Sequence, residues 1–136
     1  METSSAGANK DVASSILVVD DYVDLAEPLV RLLRRMGYAA EAVLSGGSAI
    51  EYLQTHRPSL VILDLMMPDI SGLQVLEWAR KSADLKALPI IIYTTANEEN
   101  LLKQCIAAGA NEVWLKGSLD FFQILARIQK YVPSPR

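Results

Sequence analysis

The stretch Leu60-Val61-Ile62-Leu63-Asp64-Leu65-Met66-Met67-Pro68-Asp69-Ile70-Ser71-Gly72 decides the architecture. Four apolar residues in a row, with no polar alternate, describe a short strand covered on both faces. The run stops at an acid, and Pro68 and Gly72 mark a loop. Leu73 and Leu76 then recur at helical spacing, with Ala79 or Arg80 continuing the face. A strand buried on both faces and followed by a helix is the building unit of a parallel sheet.

The same unit recurs on either side. Ile16–Val19 is an apolar run that ends in Asp20-Asp21, and Leu25, Leu29, Leu32, Leu33 and Met36 follow at helical spacing. Arg31, Arg34 and Arg35 occupy the opposite side, and Gly37 stands where a helix cap belongs. A cap near Asp24 would put Pro28 close to the first turn, where proline does least harm. Tyr38–Val43 is a weaker strand, and Ser45–Thr55 is a helix. Ile90–Tyr93 is a fourth strand ending at Thr94, followed by a helix over Asn97–Ala108 closed by Gly109. Glu112–Leu115 is a fifth strand ending at Lys116. Ser118 is positioned to cap a last helix to about Tyr131, which Pro133 and Pro135 stop. Five strand–helix rounds imply an α/β fold with helices on both faces of a parallel sheet. Residues 1–14 lack periodicity and read as a flexible leader, 15–132 as one domain, and 133–136 as a tail.

Composition narrows the function. The chain has 136 residues, 51% of them apolar, and a net charge of −3, which suits one globular domain and disfavours a nucleic-acid surface. No run approaches the roughly 20 apolar residues of a membrane span. The first residues are small and polar, unlike a secretory signal. Cys105 is the only cysteine, which excludes an internal disulfide and fits a reducing cytoplasm. It reads as packing, and His56, also the only one of its kind, as a helix-end residue.

The polar residues fall where chemistry is done. Asp20-Asp21, Asp64, Thr94 and Lys116 each follow an apolar strand directly. In a parallel sheet those ends share one edge, where ligands bind at the reversal of strand order. Each residue alone reads as a turn former, a cap or a solvated charge; together they place three carboxylates, a hydroxyl and an ammonium in one crevice. Crowded carboxylates invite a hard cation such as Mg2+. Asp64 can act as a nucleophile toward phosphorus, with Lys116 pairing with it beforehand and with phosphoryl oxygens afterwards. Thr94 can donate its hydroxyl.

At this point the chain resembles the receiver domains of two-component signalling. The resemblance rests on ILVVDD (16–21), LVILDLMMPDISG (60–72), PIIIYTTA (89–96) and AGANEVWLK (108–116), and it spans about Ser15 to Val132. Asp21, Asp64, Thr94 and Lys116 are separated by 43, 30 and 22 residues, as in that family. The resemblance implies a flavodoxin-like (βα)5 three-layer sandwich with strand order 2-1-3-4-5. It implies phosphorylation of Asp64 by a histidine kinase or histidine phosphotransfer protein. Mg2+ would be held by Asp21, Asp64 and the backbone carbonyl of Met66, with Asp20 acting through water. The family's switch threonine falls on Thr94, with Thr95 in the neighbouring position, and its lysine on Lys116. The implied role is a phosphoacceptor switch that assists its own phosphorylation and dephosphorylation, and not an enzyme.

Two positions depart from the family's pattern. Gly117 follows the lysine where proline is common, so a trans bond is expected there. Val113 stands where many members carry an aromatic ring, and alternation should put Trp114 on the other face, toward the last helix. Trp78 and Trp114 read as core or half-buried aromatics, and Met67 as inward with Met66 at the mouth of the site. Three rival readings fit less well. A dehalogenase-type phosphatase needs an acid two residues after the nucleophile, and Met66 stands there. A flavin carrier needs a phosphate-binding loop where Asp20-Asp21 would repel the phosphate. A non-phosphorylated interaction module usually lacks an acid or the lysine, and none is lost.

Overall fold

The computed structural model describes residues 14–133 and 135. Of the expected leader only Ser14 lies among them, and residues 134 and 136 of the tail also fall outside the described residues. The elements alternate without exception: β1 (Ser15–Val19), α1 (Val23–Arg35), β2 (Ala39–Val43), α2 (Gly46–Thr55), β3 (Leu60–Leu63), α3 (Gly72–Lys81), β4 (Ile90–Thr94), α4 (Glu99–Ala107), β5 (Glu112–Leu115) and α5 (Phe121–Ile128). All strand pairs are parallel, and the sheet order is β2-β1-β3-β4-β5. This is the flavodoxin-like sandwich.

The layers follow from the path of the chain. It steps from β1 to β2 in one direction and from β2 through β3 and β4 to β5 in the other. Right-handed crossovers therefore put α1 on one face and α2, α3 and α4 on the other. The strands carry this division with their period of two. Leu17, Val19, Val61, Leu63, Ile90 and Ile92 pack with Leu53 of α2, Leu76 of α3 and Cys105 of α4. Ile16, Val18, Leu60, Ile62 and Ile91 pack with Leu29 and Leu33 of α1 and Ile128 of α5. Every β3 residue is at most 1% exposed. Each such side chain contributes roughly 1.5–3 kcal/mol by leaving water, so the strand that carries Asp64 is anchored on both sides.

Helix ends depart most from the sequence reading. α1 starts at Val23, well ahead of Pro28: its N-cap is Tyr22, with no side-chain cap, in place of the expected Asp24. Pro28 therefore sits inside the helix and removes the bond that its N–H would make four residues back. Hydrophobic packing of Ala26, Leu29, Val30 and Leu33 carries the helix through this gap. α4 starts at Glu99 rather than Asn97, and its N-cap Glu98 makes no side-chain bond. In α5 the cap is Asp120, which forms a reciprocal capping box with Gln123; Ser118 instead donates its hydroxyl to Leu115 O at 2.6 Å. α5 ends at Ile128, and turns continue to Tyr131. Gly37 and Gly109 close α1 and α4 with φ of 99° and 111°, where a Cβ would be strained.

Candidate functional site

The site lies where β1 and β3 diverge in their connections, at the carboxyl edge of the sheet. The ladder extends one residue past each strand: Asp20 N–H donates to Val43 O (3.2 Å), Asp64 N–H to Val19 O (2.9 Å), and Lys116 N–H to Thr94 O (2.8 Å). These backbone bonds fix the Cα positions of three site residues independently of their side chains.

The side chains then converge. Carboxylate oxygens of Asp20, Asp21 and Asp64 all lie within 4.8 Å of one another. Asp20 and Asp64 are only 5% and 7% exposed, whereas Asp21 faces solvent. Lys116 Nζ lies 2.6 Å from Asp20 Oδ2 and 3.6 Å from Asp64 Oδ2. The expected pairing of Lys116 with Asp64 is present, and Asp20 is a second and nearer partner. The reason is reach: Lys116 enters over the Tyr93 ring, 5.8 Å from its centroid, and bridges the two acids. The other oxygens are held locally, Asp20 Oδ1 by Tyr22 N–H (3.0 Å) and Asp64 Oδ1 by Leu65 N–H (2.8 Å).

Burial pushes the Asp64 carboxyl above its ordinary range. Lys116 pulls it down, Asp20 pushes it up again, and the Thr94 hydroxyl and Leu65 N–H favour the charged form. Thr94 is fully buried, and its Oγ1 accepts from Ala96 N–H at 3.1 Å, which leaves its proton to donate. Thr95, the neighbouring position, is exposed. Met67 is buried and Met66 is 60% exposed beside the acids in sequence.

The donor set fits a divalent cation. With all three acids ionised, one ammonium leaves two negative charges unmatched. Oxygen donors at this spacing, two buried and one open to water, suit a hard ion that keeps part of its hydration shell. Asp20, Asp21 and Asp64 each offer such an ion a carboxylate oxygen.

Other expectations find their places. The Lys116–Gly117 peptide is trans, as are all peptides among the described residues. Gly117 has φ of 88°, and a Cβ there would meet no atom within 4 Å, so the conformation and not crowding calls for glycine. Val113 packs with the α2–α4 face and Trp114, 3% exposed, with α1 and α5. The Trp114 indole N–H donates to Glu112 Oε1 at 2.8 Å. His56 is the C-cap of α2 and stacks on Tyr52 at 4.1 Å. A cavity of about 580 Å3, lined in part by Ser15, Ala39, Tyr52 and His56, sits at the opposite edge, where β1 and β2 begin, and takes no part in this site.

Two residues escape the sequence reading. Asp69 binds the amides of Gly46 and Gly47, and Glu112 gathers donors from β5 and the end of α5. The Gly46-Gly47 pair directly after the capping Ser45 is the one signal of the first. Glu112 looks like an ordinary strand-starting charge.

Known proteins fit this geometry. The family model described as the response regulator receiver domain matches residues 16–129. The two-component response regulator ORR3 of Oryza sativa subsp. indica is 31% identical over 102 residues, covering 74% of this chain and 78% of that protein. The response regulator MprA of Mycobacterium sp. (strain KMS) is 34% identical over 114 residues, 84% of this chain; the chain spans 48% of that relative's length. Among solved structures, the signal receiver domain of a signal transduction histidine kinase from Syntrophus aciditrophicus superimposes with a TM-score of 0.81 at 27% identity, covering 88% of this chain and 89% of that one. A CheY-like receiver domain protein from Methanospirillum hungatei JF-1 shares the fold, with a TM-score of 0.82 at 23% identity over 88% of this chain and 93% of that one.

Proposed function

The chain belongs to the response regulator receiver domain family, and from that premise we propose that it is a signalling switch that accepts a phosphoryl group on Asp64. The observation that carries this is the surroundings of Asp64: a carboxylate on the central strand, 3.6 Å from an ammonium and grouped with two further acids. Receiver domains take their phosphoryl group from histidine kinases or phosphotransfer proteins, and a phosphohistidine is the proposed donor here.

In the transfer an Asp64 carboxylate oxygen bonds to phosphorus while the bond from phosphorus to the donor's imidazole nitrogen breaks. The nitrogen leaves with the electron pair. Mg2+, when bound, supplies charge neutralisation for the phosphoryl oxygens. Lys116 already bridges Asp20 and Asp64, so a short movement brings its ammonium to a phosphoryl oxygen. Thr94 donates its hydroxyl proton to another. The buried floor of Leu63 and Leu65 limits water behind Asp64. The domain works as an acceptor that assists its own labelling and hydrolysis, and not as an enzyme turning over a separate substrate.

The donor's docking surface is supported by apolar side chains left in water beside the acids. Tyr22, Val23 and Leu25 at the start of α1 are 56%, 41% and 45% exposed. An apolar strip of this kind suits the face of a partner helix. No helix among the described residues is long and apolar enough to cross a membrane. With the net charge of −3, a cytoplasmic protein partner is the proposed setting, without direct contact to nucleic acid.

The test is intact-mass analysis after incubation with acetyl phosphate or phosphoramidate and Mg2+. One phosphoryl group is expected on the wild type, none on Asp64→Asn, and none in excess EDTA. Equal labelling of wild type and Asp64→Asn would remove Asp64 from the role, and full labelling in EDTA would remove the cation.

A further inference from the structure

The loop between β3 and α3 carries Met66, whose carbonyl the resemblance to receiver domains assigns to the cation. Its two ends meet: Gly72 N–H donates to Leu65 O at 3.0 Å. A Cβ on Gly72 would lie 2.0 Å from the Asp64 carbonyl oxygen, so the start of α3 presses directly on the backbone of the acceptor residue. The middle of the loop is tied elsewhere. Asp69 reaches across to α2, where its Oδ1 accepts Gly46 N–H at 3.3 Å and its Oδ2 accepts Gly47 N–H at 3.0 Å. These are the first two amides of that helix, which have no acceptor within it. The next, Ser48 N–H, is taken by the helix's own cap, Ser45 Oγ, at 3.0 Å.

The two caps therefore do different things. Ser45 completes α2 from within, whereas Asp69 fastens a separate loop, 22 and 23 residues away in the chain, to it. The positive end of a helix favours a carboxylate there. α2 is a firm reference, since Ala49 and Leu53 are fully buried in the core. The approach is close: a Cβ on Gly46 would lie 2.5 Å from Ile70 O, so glycine is what lets the loop lie against the helix. Asp69 is itself exposed and buries no apolar surface.

We propose that Asp69 is a positioning residue of the phosphorylation site: by tying the β3–α3 loop to the first turn of α2, it sets the place of the Met66 carbonyl toward Mg2+. The inference rests on the reading of the acid cluster as a Mg2+ site. Asp69 touches neither the cation nor the phosphoryl group. Its effect is like that of outer residues that orient metal ligands, whose removal costs about 10–100-fold in affinity.

The experiment is a Mg2+ titration of the unphosphorylated full chain, followed by amide NMR shifts, for wild type, Asp69→Ala, Asp69→Asn and Ser45→Ala. Asp69→Ala is expected to weaken Mg2+ binding about tenfold. Asp69→Asn, which keeps one acceptor oxygen, should recover part of the loss. Ser45→Ala removes the other cap of the same helix end and should lower stability while leaving Mg2+ affinity unchanged. An Asp69→Ala affinity within about twofold of wild type would overturn the proposal, because outer-residue effects are larger than that. Equal weakening in Ser45→Ala would also overturn it, since helix stability would then be the cause. A wild type that takes up no Mg2+ would instead defeat the cation reading on which the proposal stands.

Discussion

Replacing Glu112 by glutamine should loosen the joint between β5 and the end of α5 in a pH-dependent way. Glu112 Oε1 accepts from the Trp114 indole at 2.8 Å and faces Arg127 at 3.3 Å. Its Oε2 accepts from the Tyr131 hydroxyl and faces Lys130 at 3.1 Å. Burial works against the ionised form, but these donors outweigh it and hold the carboxyl down at about 2, from an ordinary 4.5. At about 1.4 kcal/mol per pH unit, that displacement is worth about 3 kcal/mol. The Glu112 side chain is only 14% exposed, but Arg127 and Lys130 are 45% and 58% exposed, so solvent screening makes about 3 kcal/mol an upper bound. Because the folded value is depressed, the contribution is present above the unfolded value of 4.5 and is lost as pH falls toward 2. Glu112→Gln, which keeps the shape and an acceptor oxygen, should therefore cost at most about 3 kcal/mol at pH 7 and at most about 1.5 kcal/mol at pH 3. Urea denaturation followed by circular dichroism measures both. The Tyr131 hydroxyl, pushed up to about 12 by burial and by the Glu112 charge, should titrate lower in the variant. A loss that is the same at pH 7 and pH 3, or below about 0.5 kcal/mol at pH 7, would refute the reasoning.

Asp64→Asn should raise the urea midpoint at pH 7, because burial lifts the Asp64 carboxyl and its ionised form works against folding above the unfolded value; the gain should shrink as pH falls through that value, and a lower midpoint at pH 7 would contradict it. Gly72→Ala should cost about 2–3 kcal/mol, since the new methyl meets the Asp64 carbonyl at 2.0 Å and overpacking outweighs any gain in helix propensity; unchanged stability in denaturant melts would count against the contact. On addition of an acyl-phosphate mimic, amide hydrogen exchange should change most between Thr94 and Lys103. Trp114 is held by Glu112 and Val113 has no ring to swing, whereas the turn before α4 is held by the Ala96–Thr94 bond and leads into a helix start without a side-chain cap. Quiet amides there, with Trp114 changing environment, would be the opposite result.

The strands and their polar ends were legible because burial on both faces gives uninterrupted apolar runs. The first polar groups after each run mark the carboxyl edge of the sheet even where, as at Asp64 and Thr94, they stay buried. Leu60–Leu63 before Asp64 and Ile90–Thr94 show this directly. Helix starts were harder to read where no side chain caps them. α1 begins just after Tyr22, and only packing of its apolar face decides that, so Asp24 was a false signal. At α5 the expected cap was Ser118, but the cap is Asp120, two residues later, which exchanges a reciprocal bond with Gln123. The bridging of Asp20 by Lys116 depends on where a long side chain enters the pocket, which strand order alone does not specify. The Asp69 tie joins residues 22 and 23 apart through main-chain amides, so no residue type announces it beyond the paired glycines.

The division of the two tryptophans between the faces of the sheet has an optical consequence. Trp78 is half-buried among the α2–α4 side chains, whereas Trp114 is sealed on the α1–α5 side. Its indole meets the Tyr93 ring edge-on at 6.0 Å, and that ring carries the Lys116 ammonium on its face. The two fluorophores thus differ in burial, so Trp114 is expected to emit at the shorter wavelength and to resist acrylamide. With Trp78→Phe, the remaining emitter stands one ring away from Lys116, the ammonium that bridges Asp20 and Asp64. The chain thus carries two separable optical probes, one on each face of its sheet, without an added dye.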